Sequence, residues 1–296
     1  MHTKNNISLI EKQLKNKKQK IVAMLAPSFV AEFDYPDIIH QLKALGFDKV
    51  VELTFGAKMI NREYHKQLEA EKYKNKNLQK LIISSACAGI SEIIPQKFPK
   101  LKNNLINVDS PMTATAKICK KIYPKHKTLF ISPCQFKKTE AEKSKFVDYA
   151  VDYQQLHNLF KKYKIKEDKK KSHKKNHQLS LLFNRFYNDY TKIYPLSGGL
   201  SKTAHLKGAV KKSECRIIGG IKQVEKFLNK PQSLIRFLDA TFCTGGCIGG
   251  PYLSKALTLA QKKKRVLHYI NVAKQESIPE NRKGLIEVAK AISFTR

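Results

Sequence analysis

The stretch Thr128-Leu-Phe-Ile-Ser-Pro-Cys-Gln-Phe-Lys-Lys138 contains the unit from which the fold of this chain is built. A short apolar run ends at Ser132, a turn carrying Cys134 follows, and a polar helical pattern begins after the turn. Alternation of such runs with helical patterns is typical of parallel sheets with helices on both faces. Similar apolar runs occur at residues 20–26, 49–54, 80–84, 104–108, 146–151, 215–219 and 234–240. We therefore predict an α/β fold.

Four runs followed by four more predict two lobes of mostly parallel sheet, flanked by helices, with a cleft between them. Amphipathic stretches at residues 35–45, 64–71, 113–122, 178–190 and 221–228 would supply helices. The predicted organisation is a polar N-terminal helix or tail (1–19), a first lobe (20–126), a second lobe (127–253) with a lysine-rich insertion (161–177), and a C-terminal helical extension (254–296). In that extension we expect two helices broken near Pro279.

The composition sets the broad class of the protein. With 42% apolar residues among 296, the chain can bury a core, which excludes a chain-long disordered or collagen-like protein. No apolar run approaches the ~20 residues that a membrane-spanning helix needs. The first residues lack the apolar core of a secretory signal. We therefore expect a cytoplasmic protein with no membrane span.

The charge balance points to an acidic partner. The chain holds 57 Lys+Arg against 24 Asp+Glu, a formal net charge of +33. Nucleic acid, membrane headgroups or an acidic protein would fit this charge. In the lysine-rich insertion, aromatic residues are not interleaved as a base-stacking surface would need, so it is better explained as a solvated surface than as a nucleic-acid site. A basic nucleic-acid-binding protein with a structural metal stays an alternative, but it explains none of the cysteine positions below.

Four of the six cysteines follow predicted strands. Cys87 and Cys134 come just after the third and fifth runs, and Cys243 and Cys247 come just after the eighth. Ligands in open parallel sheets bind beyond the carboxyl ends of the strands. Four thiolates converging there could hold a 4Fe–4S cluster, with zinc as the competitor. Structural zinc usually uses short paired spacings, and only one close pair is present here, so we favour a cluster in the cleft.

The other cysteines and the neighbouring glycines have simpler interpretations. Cys119 lies in a helical pattern and Cys215 opens an apolar run, so both are interpreted as core residues. Gly245 and Gly246, within the close pair, would let the backbone turn tightly around a bulky inorganic group. A glycine-rich loop with incidental thiols is the alternative interpretation of this segment.

With these loops the chain resembles the iron-only (FeFe) hydrogenases, in the C-terminal domain of their large subunit. The first family loop ends in a cysteine, which is matched by Cys87. The second reads Pro-Cys-x-x-Lys-x-x-Glu and is matched from Pro133 to Glu140. The third reads Cys-x-Gly-Gly-Cys followed by glycines and is matched from Cys243 to Gly250. The similarity extends from about residue 20 to residue 252.

The resemblance implies an H-cluster, in which a 4Fe–4S cubane is joined to a diiron unit carrying CO, cyanide and a bridging dithiolate. Cys87, Cys134 and Cys243 would then hold the cubane, and Cys247 would bridge both parts. Lys137 would donate a charged hydrogen bond to an iron-bound cyanide, and Glu140 would neutralise or orient its neighbours. Further cofactor-binding residues implied by the resemblance are Ala26, Pro27, Ser110, Pro111, Met112, Gly198 and Gly199, together with the glycines of the third loop.

The implied activity is reversible H₂ formation with an external, acidic electron carrier such as ferredoxin, after maturation proteins have built the diiron unit. The ferredoxin-like cluster domains of larger family members are not expected here. Several positions depart from the family. The cysteine that usually relays protons is Ala86, and the family's proton-channel carboxylates fall near Tyr64 and Gln67. Two usual methionines are Ser132 and Thr241. These departures predict slow turnover or a sensory role.

A non-enzymatic protein is the main alternative. Some relatives of hydrogenases keep the cubane without a diiron unit, as iron–sulfur assembly factors or redox or H₂ sensors would. Retention of Lys137 argues against this alternative, because a lysine that binds cyanide has no evident role beside a bare cubane.

Overall fold

The computed structural model describes residues 3–16, 18–74, 80–166, 182–206 and 208–296. The chain folds into two parallel sheets flanked by helices, so the predicted α/β class is confirmed. The strands are β1 (Ile21–Leu25), β2 (Lys49–Glu52), β3 (Ile82–Ile83), β4 (Lys127–Ser132), β5 (Tyr149–Asp152), β6 (Cys215–Gly219) and β7 (Phe237–Thr241).

Helices lie before, between and after these strands. They are α1 (Ile7–Lys15), α2 (Asp37–Leu45), α3 (Thr54–Lys74), α4 (Ala88–Lys97), α5 (Pro111–Ile122), α6 (Gln135–Lys143), α7 (Tyr153–Lys162), α8 (Gly199–Thr203), α9 (Ile221–Asn229) and α10 (Leu259–Gln275). Among the described residues, no helix has both the length and the apolar character that crossing a membrane requires.

The assignment of strands to sheets differs from the prediction. The first sheet has the order β2-β1-β4-β5 and the second has the order β3-β7-β6. Strands of the two sheets are therefore interleaved along the chain. The boundary predicted between the two lobes, at residue 126, does not separate the two sheets. The reason is physical: most strand residues are apolar, and apolar composition does not specify which parallel neighbour a strand pairs with after its crossover.

Three predicted elements are not formed as expected. Residues 104–108 make only an isolated bridge, Ile83 to Leu105, and their apolar residues are buried without a ladder. The described part of the stretch 178–190 is irregular rather than helical, while residues 178–181 lie outside the described residues. After α10 the chain has short 3₁₀ turns instead of a second helix. Of the predicted insertion, residues 161–166 are described, where α7 ends, and residues 167–177 lie outside the described part.

The central strand β1 separates two parts of the core. Val22 and Met24 pack on one face with the side chains of α3 and α5, while Ile21, Ala23 and Leu25 pack on the other. Both faces are apolar because helices cover both, as expected for a parallel sheet. This arrangement fixes the carboxyl ends of β1 and β4, where the polar site described next begins.

Candidate metal centre

A cavity of about 100 Å³ lies where the carboxyl ends of the two sheets meet. This volume exceeds the ~10–15 Å³ that one water needs, so the cavity has room for a small polyatomic group. Its lining comes from strand ends of both sheets and from two loops, and it includes Ala26, Pro27, Leu53, Ala86, Cys87, Pro111, Met112, Cys134, Lys137, Tyr194, Asp239, Thr241 and Cys247. The site therefore lies where strand ends of parallel sheets are expected to bind ligands.

Cys87 and Cys134 occupy the same position in their respective loops. Each lies immediately before a helix, α4 or α6, with an extended backbone and without capping that helix through its side chain. The Cys87 Sγ accepts a hydrogen bond from the backbone N–H of Phe242 at 3.4 Å, which joins the first cysteine loop to the loop of the close pair. Helix N-termini favour thiolates, which suits metal ligands.

The loop of the close pair depends on two glycines. Gly245 and Gly246 have φ values of +80° and +88°, which favour glycine. A Cβ on Gly246 would lie 2.5 Å from the carbonyl oxygen of Pro195. The neighbouring N–H of Cys247 donates to that same carbonyl at 2.7 Å. The turn is thus fastened to the loop that contains Tyr194, and any side chain at Gly246 would push the two apart.

The surroundings raise the pKa of three of the four thiols. Burial raises the pKa of Cys134 to about 12 and that of Cys243 to about 11, and the thiolate of Cys87 would repel both. For Cys247, burial and the three other cysteines together raise the pKa well above its ordinary value. The other three cysteines contribute to the raised pKa of Cys247, so the four sulfur atoms are close in space, and each thiol must lose its proton when it binds a metal.

The arrangement fits a polynuclear group better than a single ion. Within the described part of the chain, no three His, Cys, Asp or Glu side chains are grouped so that they could hold one metal ion. A tetrahedral zinc site would require such a group. Cys87, Cys134 and Cys247 line a cavity of polyatomic size, and Cys243 lies in the same loop as Cys247; four such thiols match the ligand set of a 4Fe–4S cluster. The residues present therefore fit the cluster that the sequence predicted.

Lys137 and Glu140 form an ion pair beside the cysteines. The Lys137 Nζ lies 2.5 Å from Glu140 Oε2, and the hydroxyls of Ser110 and Thr113 bond the other carboxylate oxygen. Burial alone would raise the pKa of Glu140, but Lys137 and Ser110 outweigh it and lower that pKa below its ordinary 4.5. Glu140 is therefore a carboxylate with a fixed charge. It lines a neighbouring groove rather than the cavity itself.

Asp239 and Tyr194 line the cavity but were not predicted as site residues from the sequence. Asp239 is buried, and its carboxylate accepts a hydrogen bond from the backbone N–H of Ser201 at 2.9 Å. Burial raises its pKa above the ordinary 3.8. The Tyr194 hydroxyl is buried and has no hydrogen-bond partner among the described residues. A carboxylate inside the apolar strand β7 was a signal in the sequence that the cysteine pattern overshadowed.

The remaining predicted residues are placed as follows. Ser110 lies outside the cavity lining, where it caps α5 and bonds Glu140. Gly198 and Gly199 form the turn into α8, in contact with Ile217 and the backbone of Tyr194 rather than with the cavity. Cys119 is fully buried, as a core residue should be.

Cys215, predicted to be a core residue, is only half-buried, so that expectation is corrected. It begins β6, the strand at the edge of its sheet, where one side has no neighbouring strand to cover it. Its sulfur lies 3.5 Å from the Ser201 hydroxyl.

Comparisons with known proteins show the family to which the chain belongs. The sequence model of the family described as "Iron only hydrogenase large subunit, C-terminal domain" matches residues 19–251. Iron hydrogenase 1 of Clostridium pasteurianum is 22% identical over 83% of this chain, and the chain spans 52% of that protein, about half its length.

Solved structures share the fold. A glutamate-to-alanine variant of [FeFe]-hydrogenase HydA1 from Chlamydomonas reinhardtii superposes with a TM-score of 0.69 at 15% identity, covering 97% of this chain and 94% of that one. An apo form of HydA1 from the same alga, a cysteine-to-histidine variant, gives a TM-score of 0.68 at 13% identity with the same coverage.

Proposed function

This chain belongs to the iron-only hydrogenase family, matching the C-terminal domain of the large chain, and on that premise we propose that it is an H-cluster protein that forms and oxidises H₂ reversibly. When bound, the H-cluster would supply the iron chemistry that interconverts two protons and two electrons with H₂. The chain's own residues would hold that group, orient it and exclude water from it.

One observation carries this proposal. Thiols from three strand-end loops, belonging to two different sheets, surround one cavity that also contains a lysine. We propose that Cys87, Cys134 and Cys243 hold the 4Fe–4S cubane and that Cys247, which lines the cavity, joins it to the diiron unit. The glycine turn beside Cys247 would allow the backbone to pass close to so bulky a group.

Lys137 is the proposed donor to the cyanide of the diiron unit. An ammonium group has three hydrogens, and one of them is directed to Glu140 at 2.5 Å. The side chain also lines the cavity, so its other hydrogens can be donated there. Glu140, itself held by Ser110 and Thr113, would fix the position of the ammonium. A point charge held in this way suits a strong charge-assisted hydrogen bond.

The proposed function also includes a turnover rate and a set of partner proteins. Ala86 lines the cavity and has no exchangeable side-chain proton, which supports slow turnover or a role in sensing H₂. The net charge of +33 supports an acidic one-electron carrier such as ferredoxin as the partner. Maturation proteins would insert the diiron unit, and we propose a cytoplasmic location for the protein.

The decisive experiment is infrared spectroscopy of the chain after its cubane has been reconstituted and its diiron unit matured. We expect bands from CO and cyanide in the unchanged protein. Cys247→Ala should lose these bands, because the thiolate that joins the two parts is gone. Cys119→Ala is the matched control: it also removes a thiol, but one buried in the core, and the bands should persist.

Electron paramagnetic resonance of the same samples separates the alternatives. If the matured protein gave a cubane signal but no CO or cyanide bands, it would be an iron–sulfur protein without a diiron unit, and the hydrogenase proposal would be wrong. If Cys247→Ala kept the bands, the assignment of the bridging ligand would be wrong.

A further inference from the structure

Tyr194 brings to the cavity a hydroxyl group that is bonded to nothing else in the described part of the chain. The side chain lines the cavity, and its hydroxyl oxygen is buried without a hydrogen-bond partner among the described residues. Buried polar groups without a partner are destabilising and are rare in native proteins. The position of this group beside a binding cavity is explained if its partner is an atom of a bound group.

Two other hydroxyl groups of the cavity lining differ from that of Tyr194, because each has a partner within the protein. The Ser28 Oγ lies 2.8 Å from the Tyr153 hydroxyl, and the Thr241 hydroxyl donates to the carbonyl oxygen of Cys243 at 3.2 Å. These groups are therefore already engaged in holding the lining together, whereas the Tyr194 hydroxyl has its hydrogen free to donate.

The backbone on both sides of Tyr194 is held in place, which gives the hydroxyl group a defined position. Two residues earlier, Lys192 forms a fully buried ion pair with Glu52, and the Lys192 Nζ lies 2.7 Å from Glu52 Oε2. One residue later, the carbonyl oxygen of Pro195 accepts the hydrogen bond from the N–H of Cys247 at 2.7 Å. Tyr194 is thus joined both to the end of β2 and to the loop of the close cysteine pair.

The surroundings of the Tyr194 hydroxyl suit a neutral hydrogen-bond donor. Burial raises its pKa well above the ordinary 10, and Tyr64, Asp239 and Cys247 would each raise it further if they were ionised. The hydroxyl group therefore keeps its hydrogen at neutral pH. A neutral donor in a mostly apolar cavity is complementary to a ligand atom with a lone pair, such as the nitrogen of a cyanide.

We propose that Tyr194 donates a hydrogen bond to a ligand atom of the diiron unit, an inference that rests on the proposed function. Lys137, on α6, would donate a charged hydrogen bond to a cyanide of the same unit. Tyr194 lies on a different segment of the chain and would add a neutral one. Two donors on separate segments restrict the orientation of a bound group more than one donor does.

Tyr194→Phe tests the inference because it removes the hydroxyl group and keeps the ring. In infrared spectra of the matured protein, at least one CO or cyanide band should shift to lower wavenumber, because the lost hydrogen bond no longer draws electron density from the iron. The shift should be smaller than in Lys137→Met, since a neutral donor forms a weaker hydrogen bond than an ammonium group.

The infrared result separates the inference from the proposed function. Bands that appear in both proteins at the same wavenumbers would overturn the role of Tyr194 alone. If the unchanged protein gave no CO or cyanide bands, the proposed function would be wrong, and the inference would be wrong with it.

Urea unfolding of the protein carrying only its cubane is a readout that does not need the diiron unit. Tyr187→Phe is the matched control: Tyr187 lies earlier in the same irregular stretch, does not line the cavity, and accepts a hydrogen bond from the N–H of Phe183 at 2.7 Å. It should lower the urea midpoint and leave the bands of the matured protein unmoved. Tyr194→Phe should leave the midpoint unchanged or raise it, because no internal hydrogen bond is lost. An equal fall in both variants would show that the Tyr194 hydroxyl is bonded within the protein, and the inference would be wrong.

Discussion

Two walls of the cavity each have a carboxylate nearby, and the two carboxylates have opposite properties. On the α6 wall, Glu140 is paired with Lys137 at 2.5 Å and its pKa is lowered. On the β7 wall, Asp239 is bonded by the neutral Ser201 and its pKa is raised. Burial acts in the same direction on both, so the neighbouring cation decides the outcome. One wall therefore holds a fixed charge, whereas the other holds a carboxyl group that favours its protonated form.

The largest expected effect comes from removing the cation of the α6 wall. Lys137→Met leaves Glu140 with hydroxyl partners only, so we expect the free energy of unfolding to fall by about 1–3 kcal/mol. It should also shift the cyanide bands of the matured protein. The double variant Lys137→Met/Glu140→Gln should recover most of the lost stability, as measured by urea unfolding.

Lys138→Met is the matched control for that experiment. Lys138 lies on the same helix, is similarly exposed and forms its own ion pair, with Asp152, but it does not line the cavity. It should lose stability without moving the cyanide bands. If both variants shifted the bands equally, the shift would report general disturbance of α6, and Lys137 would have no special role.

A smaller effect is expected when a thiol is added at Ala86. Ala86→Cys places an exchangeable proton on the side of the cavity that lacks one, so H₂ turnover should rise, by roughly tenfold. Ala86→Val, which adds bulk without a proton, is the control. If the rate stayed the same in Ala86→Cys, proton supply through that side would not be what limits turnover.

The smallest effect is a difference in pH dependence between the two walls. The folded pKa of Glu140 is lowered, so its charge stabilises the fold above the ordinary pKa of 4.5, and this contribution is lost as the pH falls. Glu140→Gln should therefore cost stability at pH 7 and little at acidic pH. The folded pKa of Asp239 is raised, so its ionisation favours unfolding as the pH rises above the ordinary 3.8.

Asp239→Asn should accordingly gain stability relative to the unchanged protein as the pH rises from about 4 to 7. Urea unfolding of both variants across this range, at one protein concentration, measures the two slopes. Slopes of the same sign would show that Glu140 and Asp239 do not differ in charge state, and the contrast between the two walls would be wrong.

The sequence was sufficient to predict the α/β class and where the cysteines of the site would lie. Those predictions rest on local signals: an apolar run, a turn and a cysteine in each loop. The pairing of β4 with β1 and of β3 with β7 was not predictable, because apolar strands carry no mark of their partners. Asp239 was missed although a carboxylate within β7 is visible in the sequence, because its place at the cavity depends on how the two sheets meet.

The strands of the two sheets are interleaved along the sequence, and this order has a consequence for biosynthesis. The two-residue strand β3, which leads into the loop of Cys87, has β7 as its partner strand. The ribosome must therefore finish more than 150 further residues before that loop can be fixed in place. Long-range pairing of this kind is slow to form. A nascent chain would present Cys87 and Cys134 without their later partners, so we expect the cofactor to be loaded after translation, onto a completed fold.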